Sequence, residues 1–264
     1  RRVVDAIRVI KPFFDIVTEA STELGDEAFL ARYRSEIDRR GVPVYTVQGN
    51  HDRPRDPAVF NRLVGPTHPA FDVAKLRFVG LNFDRPEEAL AVLEKQIATA
   101  PAAGIERVFT FSHYPLLAPD AVAFSLSPGF ASVTGEKAVR YLALAEQRRI
   151  AGHFAGHLHS PYDVADPYTG TPSLAVPSVV ENTALRLCSV TGGRLSWTVV
   201  KAGQWPIAIL ESAQPHVPWG AVRLQGAQRL RIRTVGPSRL REIDVRLGAG
   251  PKLPTERDDR PDAV

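Results

Sequence analysis

Hydrophobic and polar positions divide the chain into two regimes. Up to His159, short apolar runs alternate with stretches of helical period. Val3, Val4, Ile7 and Ile10 recur at helical spacing, and Pro12 closes that segment. Phe13 to Thr18 reads as a strand. Asp26 is placed to cap a helix with apolar positions Phe29, Leu30, Tyr33 and Ile37, with Gly41 past its end. Val42 to Val47 reads as a buried strand, and Arg53 to Pro69 as an insert with a short helical turn around Val59 and Phe60. Leu76 to Leu81 is the next strand. Asp84 with Glu87 predicts a capping box, with Pro86 in the first turn of a helix carrying Leu90, Val92, Leu93 and Ile97 toward Pro101. A strand from Val108 ends at His113, and a loop runs from Tyr114 to Thr134. A helix placing Val139, Leu142 and Ala143 on one face precedes the strand that leads to His157.

After His159 the period changes. Asp166 to Gly170, Ser173 to Val180, Ala184 to Val190 and Leu195 to Val200 read as short strands with turn signals, arranged as antiparallel hairpins; Thr191-Gly192-Gly193 is one of the turns. Alternating strand and helix followed by β-rich sequence predicts an α/β fold with two sheets packed face to face and helices outside. From about Gln204 the composition shifts again. Trp205 to Leu210 reads as a linking strand, and Arg229, Leu230, Arg231, Ile232 and Arg233 alternate strictly. The expected division is residues 1–202 as the main domain, 203–248 as a small β segment and 249–264 as a disordered tail rich in Pro and charge.

Bulk properties change this picture little. With 264 residues, 44% apolar and 23% charged, the chain can bury a full core. No apolar run approaches a membrane span. A net charge of +4 and a pI near 9.4 would help attract phosphate-bearing substrates. The alternating arginines could form a nucleic-acid or anionic-membrane patch, but alternation alone demands only a wet face and no aromatics interleave, so no specific nucleic acid is predicted. The lone Cys188 excludes an intrachain disulfide and reads as a buried, inert thiol. The chain opens at Arg1 and contains no Met, so its amino terminus is expected to be processed, trimmed or left out.

Chemistry-bearing residues stand where the strands end. Asn50, His51 and Asp52 follow the second strand, His113 a later one, and His157 and His159 the one after that. Such strand ends are where an open α/β sheet builds a site. Histidine is a good ligand for transition metals, and Asn can offer its carbonyl oxygen. His157 and His159 are two apart, so an extended backbone would aim both the same way. His153 reads as a packed or edge histidine, and His68 and His216 as surface residues.

Three blocks carry a resemblance: Gly49-Asn50-His51-Asp52, Phe111-Ser112-His113-Tyr114-Pro115 and Gly156-His157-Leu158-His159. Together they resemble the later signature blocks of the calcineurin-like metallophosphoesterase superfamily, over roughly residues 1 to 200. The resemblance implies a four-layer αββα metallophosphoesterase sandwich with a small C-terminal β segment. It implies that Asn50, His113 and His157 bind one divalent metal and His159 a second, of the Mn, Fe, Zn or Mg class. It also implies that His51 is the general acid, oriented by Asp52. The implied reaction is in-line attack on a phosphomonoester or phosphodiester by a hydroxide bridging the two cations, whose charge lowers the pKa of bound water to ~7 at well-studied sites. Residues 203–248 are similar, over a short stretch, to the branch in which an immunoglobulin-like β-domain follows. Any membrane contact would then come through segments outside this chain, and localisation is left open.

The chain departs from that family at two places. No Asp-x-His precedes Gly49, and the strand that would carry it is expected upstream of Arg1. At the Gly-Asp-x-x-Asp block stands Thr18-Glu19-Ala20-Ser21-Thr22-Glu23, so Ala20 falls at the Asp that bridges both metals. Impaired two-metal binding with low or no hydrolytic activity is therefore expected of this chain, with metal-dependent phosphoester hydrolysis as the leading function. The alternative is a catalytically degenerate domain that binds a phosphorylated ligand or a protein partner.

Overall fold

The structure is a computed structural model that describes residues 7–8, 10, 12–18, 20, 25–52, 57–115, 135–148, 150–165, 169–191, 194–202, 207–211, 229–235 and 242–246.

Strands β1 (Asp15–Val17) and β2 (Val44–Thr46) pair in parallel, with helix α1 (Glu27–Asp38) between them in the chain. Asp26 caps α1 as predicted, its carboxylate accepting from the Ala28 N–H at 2.7 Å. Alternation along the short strands sets their two faces. Ile16 and Tyr45 lie opposite each other and point into the sandwich core. Thr46 turns the other way, its hydroxyl 2.7 Å from the Tyr33 hydroxyl of α1, and Asp15 pairs with Arg40. Helix α1 therefore covers the outer face of β1–β2. Helix α2 (Pro57–Leu63) packs Val59 and Phe60 against Leu30 there.

The larger sheet has six strands: β3 (Ala70–Val73), β4 (Leu76–Leu81), β5 (Arg107–Ser112), β6 (Ile150–Ala155), β7 (Tyr162–Ala165) and β8 (Pro172–Ala175). Its order is β3-β4-β5-β6-β8-β7; the four inner strands run parallel and both edge pairs are antiparallel. Inner parallel strands are covered on both faces, which explains their nearly continuous apolar runs. Helices α3 (Pro86–Thr99) and α4 (Gly135–Arg148) cover one face, where Leu90, Leu93 and Ile97 meet Val79, Leu81, Tyr141 and Ala145. The other face presents Phe78, Phe109, Phe111, Phe154 and Leu174. Ile16 and Tyr45 pack there, as do Val190, Leu195 and Trp197 of a hairpin made by β9 (Ala184–Thr191) and β10 (Arg194–Lys201). Helices, small sheets, large sheet and helices thus form the four αββα layers.

Arg186 ties the hairpin to the large sheet. Its side chain is 2% exposed, its Nη1 lies 2.6 Å from Asp163 Oδ1, and Nε and Nη2 donate to the Ala175 carbonyl at 3.1 and 2.7 Å. The other Asp163 oxygen accepts from Trp197 Nε1 at 2.7 Å. A buried guanidinium is tolerable because its charge is paired with Asp163 and two of its nitrogens donate to a carbonyl.

Several expectations need correction. Strand β3 and its Ala74-Lys75 turn to β4 fall just after the stretch read as an insert; Ala74 adopts φ 53°, a left-handed turn with no Gly or Asn to signal it. Arg85, not Asp84, is the N-cap of α3 and makes no side-chain cap bond, so the capping box is absent; the Asp84 amide donates instead to Asn82 Oδ1 at 2.9 Å. On α4, Ala143 is exposed, and Tyr141 and Ala145 supply the buried face. A four-residue helix, α5 (Val179–Asn182), capped by Ser178, replaces the end of the strand expected over Ser173 to Val180. Cys188 is surface-accessible rather than buried, but it lies level with Trp197 on the face of the hairpin toward the large sheet, and surrounding protein pushes its thiol up to a pKa of about 12. His68 is largely buried, its Nδ1 accepting from the Asn82 amide at 3.2 Å. His216, the loop after Pro115 and the tail 249–264 lie outside the described residues.

Strands β11 (Ile207–Glu211), β12 (Arg229–Val235) and β13 (Glu242–Arg246) form a separate antiparallel sheet with β12 central. Its register sets Arg231 level with Glu211 and Asp244, and Arg233 level with Glu242. Among the described residues, no helix is long and apolar enough to cross a membrane.

Candidate functional site

The carboxyl ends of β1, β2, β5 and β6 converge. Thr18 and Ala20 follow β1, Gly49 to Asp52 follow β2, His113 to Pro115 follow β5, and Gly156 to His159 follow β6. The two last turns are joined directly, the Gly156 amide donating to the His113 carbonyl at 3.0 Å.

His113 is at the centre. Its Nδ1 lies 2.8 Å from the Thr18 carbonyl. A carbonyl only accepts, so Nδ1 carries the proton and Nε2 presents its lone pair. That Nε2 is 2.8 Å from Asn50 Oδ1 and 2.9 Å from His157 Nδ1. Burial holds His113 down to a pKa of about 4; the Thr18 bond opposes this, and the charges of His157, His51 and His159 add to it. His157 is also held below the ordinary range, first by burial, then by His159 and His51, while Asp84 pushes it up. His51, His159 and Asp84 thus lie within electrostatic reach of the His113–His157 pair. Tyr114 wedges against both rings, its centroid 5.0 Å from His113 and 4.8 Å from His157.

His157 and His159 do not lie on the extended backbone expected to aim both the same way. Both adopt left-handed backbone, φ 66° and 57°, in a bend beyond β6 rather than an extended strand. The bend separates their roles. His157 meets His113, whereas His159 is half-exposed with Nδ1 2.7 Å from Glu181 Oε1 on α5. Left-handed non-glycine residues cost ~1–3 kcal/mol each, and such strain clusters at functional sites.

In the stretch Gly49 to Asp52, Asp52 is fully buried while His51 is exposed. The Asp52 carboxylate accepts from the Gly49 amide at 3.1 Å, and its own amide donates to the Gly49 carbonyl at 3.0 Å. Asp52 therefore closes the loop that presents Asn50 and His51. A ladder of amides braces this loop from β4: Gln48 Nε2 donates to the Asp52 carbonyl at 2.8 Å, and Asn82 Nδ2 donates to Gln48 Oε1 at 3.0 Å. Gly49 cannot carry a side chain, because a Cβ would lie 2.7 Å from Ala20 Cα.

Asn50, His113 and His157 suit one cation. As placed, Asn50 Oδ1 and His113 Nε2 are two acceptors facing each other at 2.8 Å, a juxtaposition that a positive ion relieves. Neither separation from His113 Nε2 exceeds what ligands of one ion show at bond lengths of ~2.0–2.1 Å. The set contains no carboxylate. Among the described residues, no group of three or more His, Cys, Asp and Glu side chains could hold a metal ion. The sequence did not mark Gln48, Asn82 or Glu181, and Asp84 reads there only as a helix cap. Asn82 and Asp84 follow β4 much as Asn50 follows β2, so the same strand-end rule points to them. A cavity of about 390 Å³ lined by Arg34, Ile37, Asp38 and Val42 sits at the opposite, amino-terminal end of β2, away from this chemistry.

No family model and no curated protein sequence matches the chain. Solved structures do. The chain is similar to a purple acid phosphatase, PPD1, from yellow lupin (Lupinus luteus) seeds, with 13% identity and a TM-score of 0.51 over 94% of this chain and 49% of that one. The fold is metallophosphoesterase-like. The chain spans about half the length of the lupin protein. It is also similar to GAP50, described as the anchor in the inner membrane complex of Plasmodium, with 11% identity, a TM-score of 0.50 and coverage of 95% of this chain and 83% of that one. At such identities the likeness establishes the fold and leaves the reaction to the site.

Proposed function

We propose that this chain is a phosphoesterase-fold domain that holds one divalent cation through Asn50, His113 and His157 and hydrolyses a phosphomonoester or phosphodiester there slowly. The observation that carries this is the convergence of Asn50 Oδ1 and His157 Nδ1 on His113 Nε2, whose lone pair is freed by the bond from Nδ1 to the Thr18 carbonyl. A bound cation would supply Lewis acidity toward the phosphoryl oxygens and lower the pKa of coordinated water. The protein's part is to place its ligands, with Tyr114 and the Gln48–Asn82 amides fixing the loops. His51, exposed beside the cluster, donates a proton to the departing oxygen. Asp52 holds the His51 loop through the Gly49 amide.

A second reading, a catalytically degenerate binding module, is favoured by one specific contact: Ala20 packs on Gly49 where a bridging carboxylate was expected. GAP50 has this fold and is described as an anchor, so attachment is a use to which the fold is put. Calorimetric titration with Mn²⁺ and Zn²⁺, together with turnover of an aryl phosphate and a bis-aryl phosphodiester, separates the two. The hydrolytic reading expects one cation per chain and cation-dependent turnover that His113→Ala abolishes. Cation binding without turnover leaves the binding module, and no binding sinks both the cation site and the hydrolysis.

A further inference from the structure

Beneath the His113 turn runs a chain of buried polar side chains that the proposed reaction does not use. Thr110 and Ser112 on β5, His153 on β6 and Tyr141 on α4 are each at most 2% exposed. The Thr110 hydroxyl lies 2.5 Å from Tyr141 OH and 2.8 Å from His153 Nδ1. On the other side of the ring, His153 Nε2 lies 3.1 Å from Ser112 Oγ, and Ser112 Oγ donates to the Tyr114 carbonyl at 2.5 Å.

Counting hydrogens fixes the direction of every bond. A hydroxyl has one hydrogen, and Ser112 gives its own to Tyr114 O. Ser112 Oγ must therefore accept from His153, so Nε2 carries the ring proton. Burial pushes His153 down to a pKa of about 3, so the ring is neutral and Nδ1 accepts. Thr110 then donates to Nδ1 and in turn accepts from Tyr141. One unidirectional chain leads from Tyr141 of α4, through Thr110, His153 and Ser112, to the Tyr114 carbonyl, one residue past His113. Together with the bond from the Gly156 amide to the His113 carbonyl, it fixes the turn carrying His113 against the strand that leads to His157.

We infer that His153 is a positioning residue: as the neutral Nε2–H tautomer it holds Ser112, and through Ser112 the His113–Tyr114 turn, in the geometry that aims His113 Nε2 at Asn50 and His157. The cation-affinity arm of its test rests on the proposed function; the positioning itself does not. Only a group with an acceptor on one side and a donor on the other can take the place of His153. Glutamine has both at similar separation, and leucine has neither.

Long-range proton–nitrogen correlation spectra of the histidine rings in the metal-free chain test this, with assignments from single substitutions. His153 is expected to show a protonated Nε2 and a bare Nδ1, unchanged between pH 5 and 8. Ser112→Ala and His153→Leu should each move the His113 ring resonances and weaken Zn²⁺ binding about 10- to 100-fold, as loss of a supporting partner does at metal sites. His153→Gln should restore most of both. The inference is overturned if His153 carries its proton on Nδ1. It is equally overturned if Ser112→Ala, or a folded His153→Leu, keeps the parent His113 resonances. If His153→Leu fails to fold, the parent tautomer and Ser112→Ala still decide. If the parent chain binds no Zn²⁺, the proposed function falls, while the His113 resonances still judge the positioning role.

Discussion

Ala20 sits directly against Gly49: a Cβ at residue 49 would be 2.7 Å from Ala20 Cα and 2.8 Å from Ala20 Cβ. Backbone on one side and loop on the other leave no flexible side-chain end to swing away. Gly49→Ala must therefore push β1's end from the Asn50 loop and strain the Gly49–Asp52 bonds. Overpacking of this kind costs about 1–3 kcal/mol. The expected result is a urea midpoint lowered accordingly, with cation affinity reduced as well. A parent-like midpoint would show that the loop can shift freely.

The same contact makes Ala20→Asp informative. It adds a carboxylate beside the loop that bears Asn50, a set otherwise made of neutral donors. Charge count is a main lever on affinity for hard divalent cations. Mn²⁺ should bind at least about tenfold more tightly, or ~1.4 kcal/mol, and aryl phosphate turnover should rise. Unchanged affinity in a folded variant would show that residue 20 does not face the cation position.

Most of the layer order was legible in the sequence because buried parallel strands and amphipathic helices leave strong periodic marks. Val108 to His113 and Phe154 to His159 point to a site because each sets polar residues after an apolar run. What was missed rests on weak local signals. The β3–β4 turn places Ala74, an ordinary residue, in left-handed backbone. The split between His157 and His159 arises from a bend that overrides the extended pattern, with Glu181 drawn in from α5. Glu181 lies 22 residues from His159 in the chain, and no spacing rule connects them. Likewise His153 reads only as a packed histidine. Its two partners, Thr110 and Ser112, both stand on β5 and become visible once β5 and β6 are paired.

Acid sensitivity should follow His153. Its folded pKa is about 3 against an ordinary 6.5. Between those values the unfolded chain binds a proton that the folded chain refuses, so stability falls as pH drops from 6.5 toward 3, by up to ~1.4 kcal/mol per unit. His153→Gln removes that contribution and leaves those of His113, whose folded value is about 4, and of His157 and His68, which burial also holds below the ordinary range. Thermal midpoints from pH 7 to pH 4 should decline less steeply in the variant. Parallel curves would contradict a neutral buried His153.

Arg186 should prove the main tie between hairpin and large sheet. Replacing it with Met leaves Asp163, 30% exposed, without its partner and frees the Ala175 carbonyl. Breaking a buried pair from one side costs ~3–5 kcal/mol, and the partial exposure of Asp163 places this case near the lower end. Asp163→Asn should cost less, because an amide still accepts from Trp197. Denaturant midpoints of the two variants give the comparison, and equal losses would mean that packing of the Arg186 stem, not its charge, supplies the tie.

Histidine scanning should separate residues that the three sequence blocks suggest are alike. His113 and His157 have ring nitrogens 2.9 Å apart, whereas His159 is half-exposed and bonded to Glu181. If one cation sits at Asn50, His113 and His157, then His113→Ala and His157→Ala each remove a ligand and should lower Mn²⁺ affinity by at least about 100-fold, or ~2.7 kcal/mol. His159→Ala removes a residue directed to α5 and should change it by less than about threefold, or ~0.7 kcal/mol. Calorimetry on the three variants reads both the affinity and the number of ions bound. A stoichiometry of two in the parent that falls to one in His159→Ala would overturn the single-cation site and restore the two-metal arrangement implied by the sequence blocks.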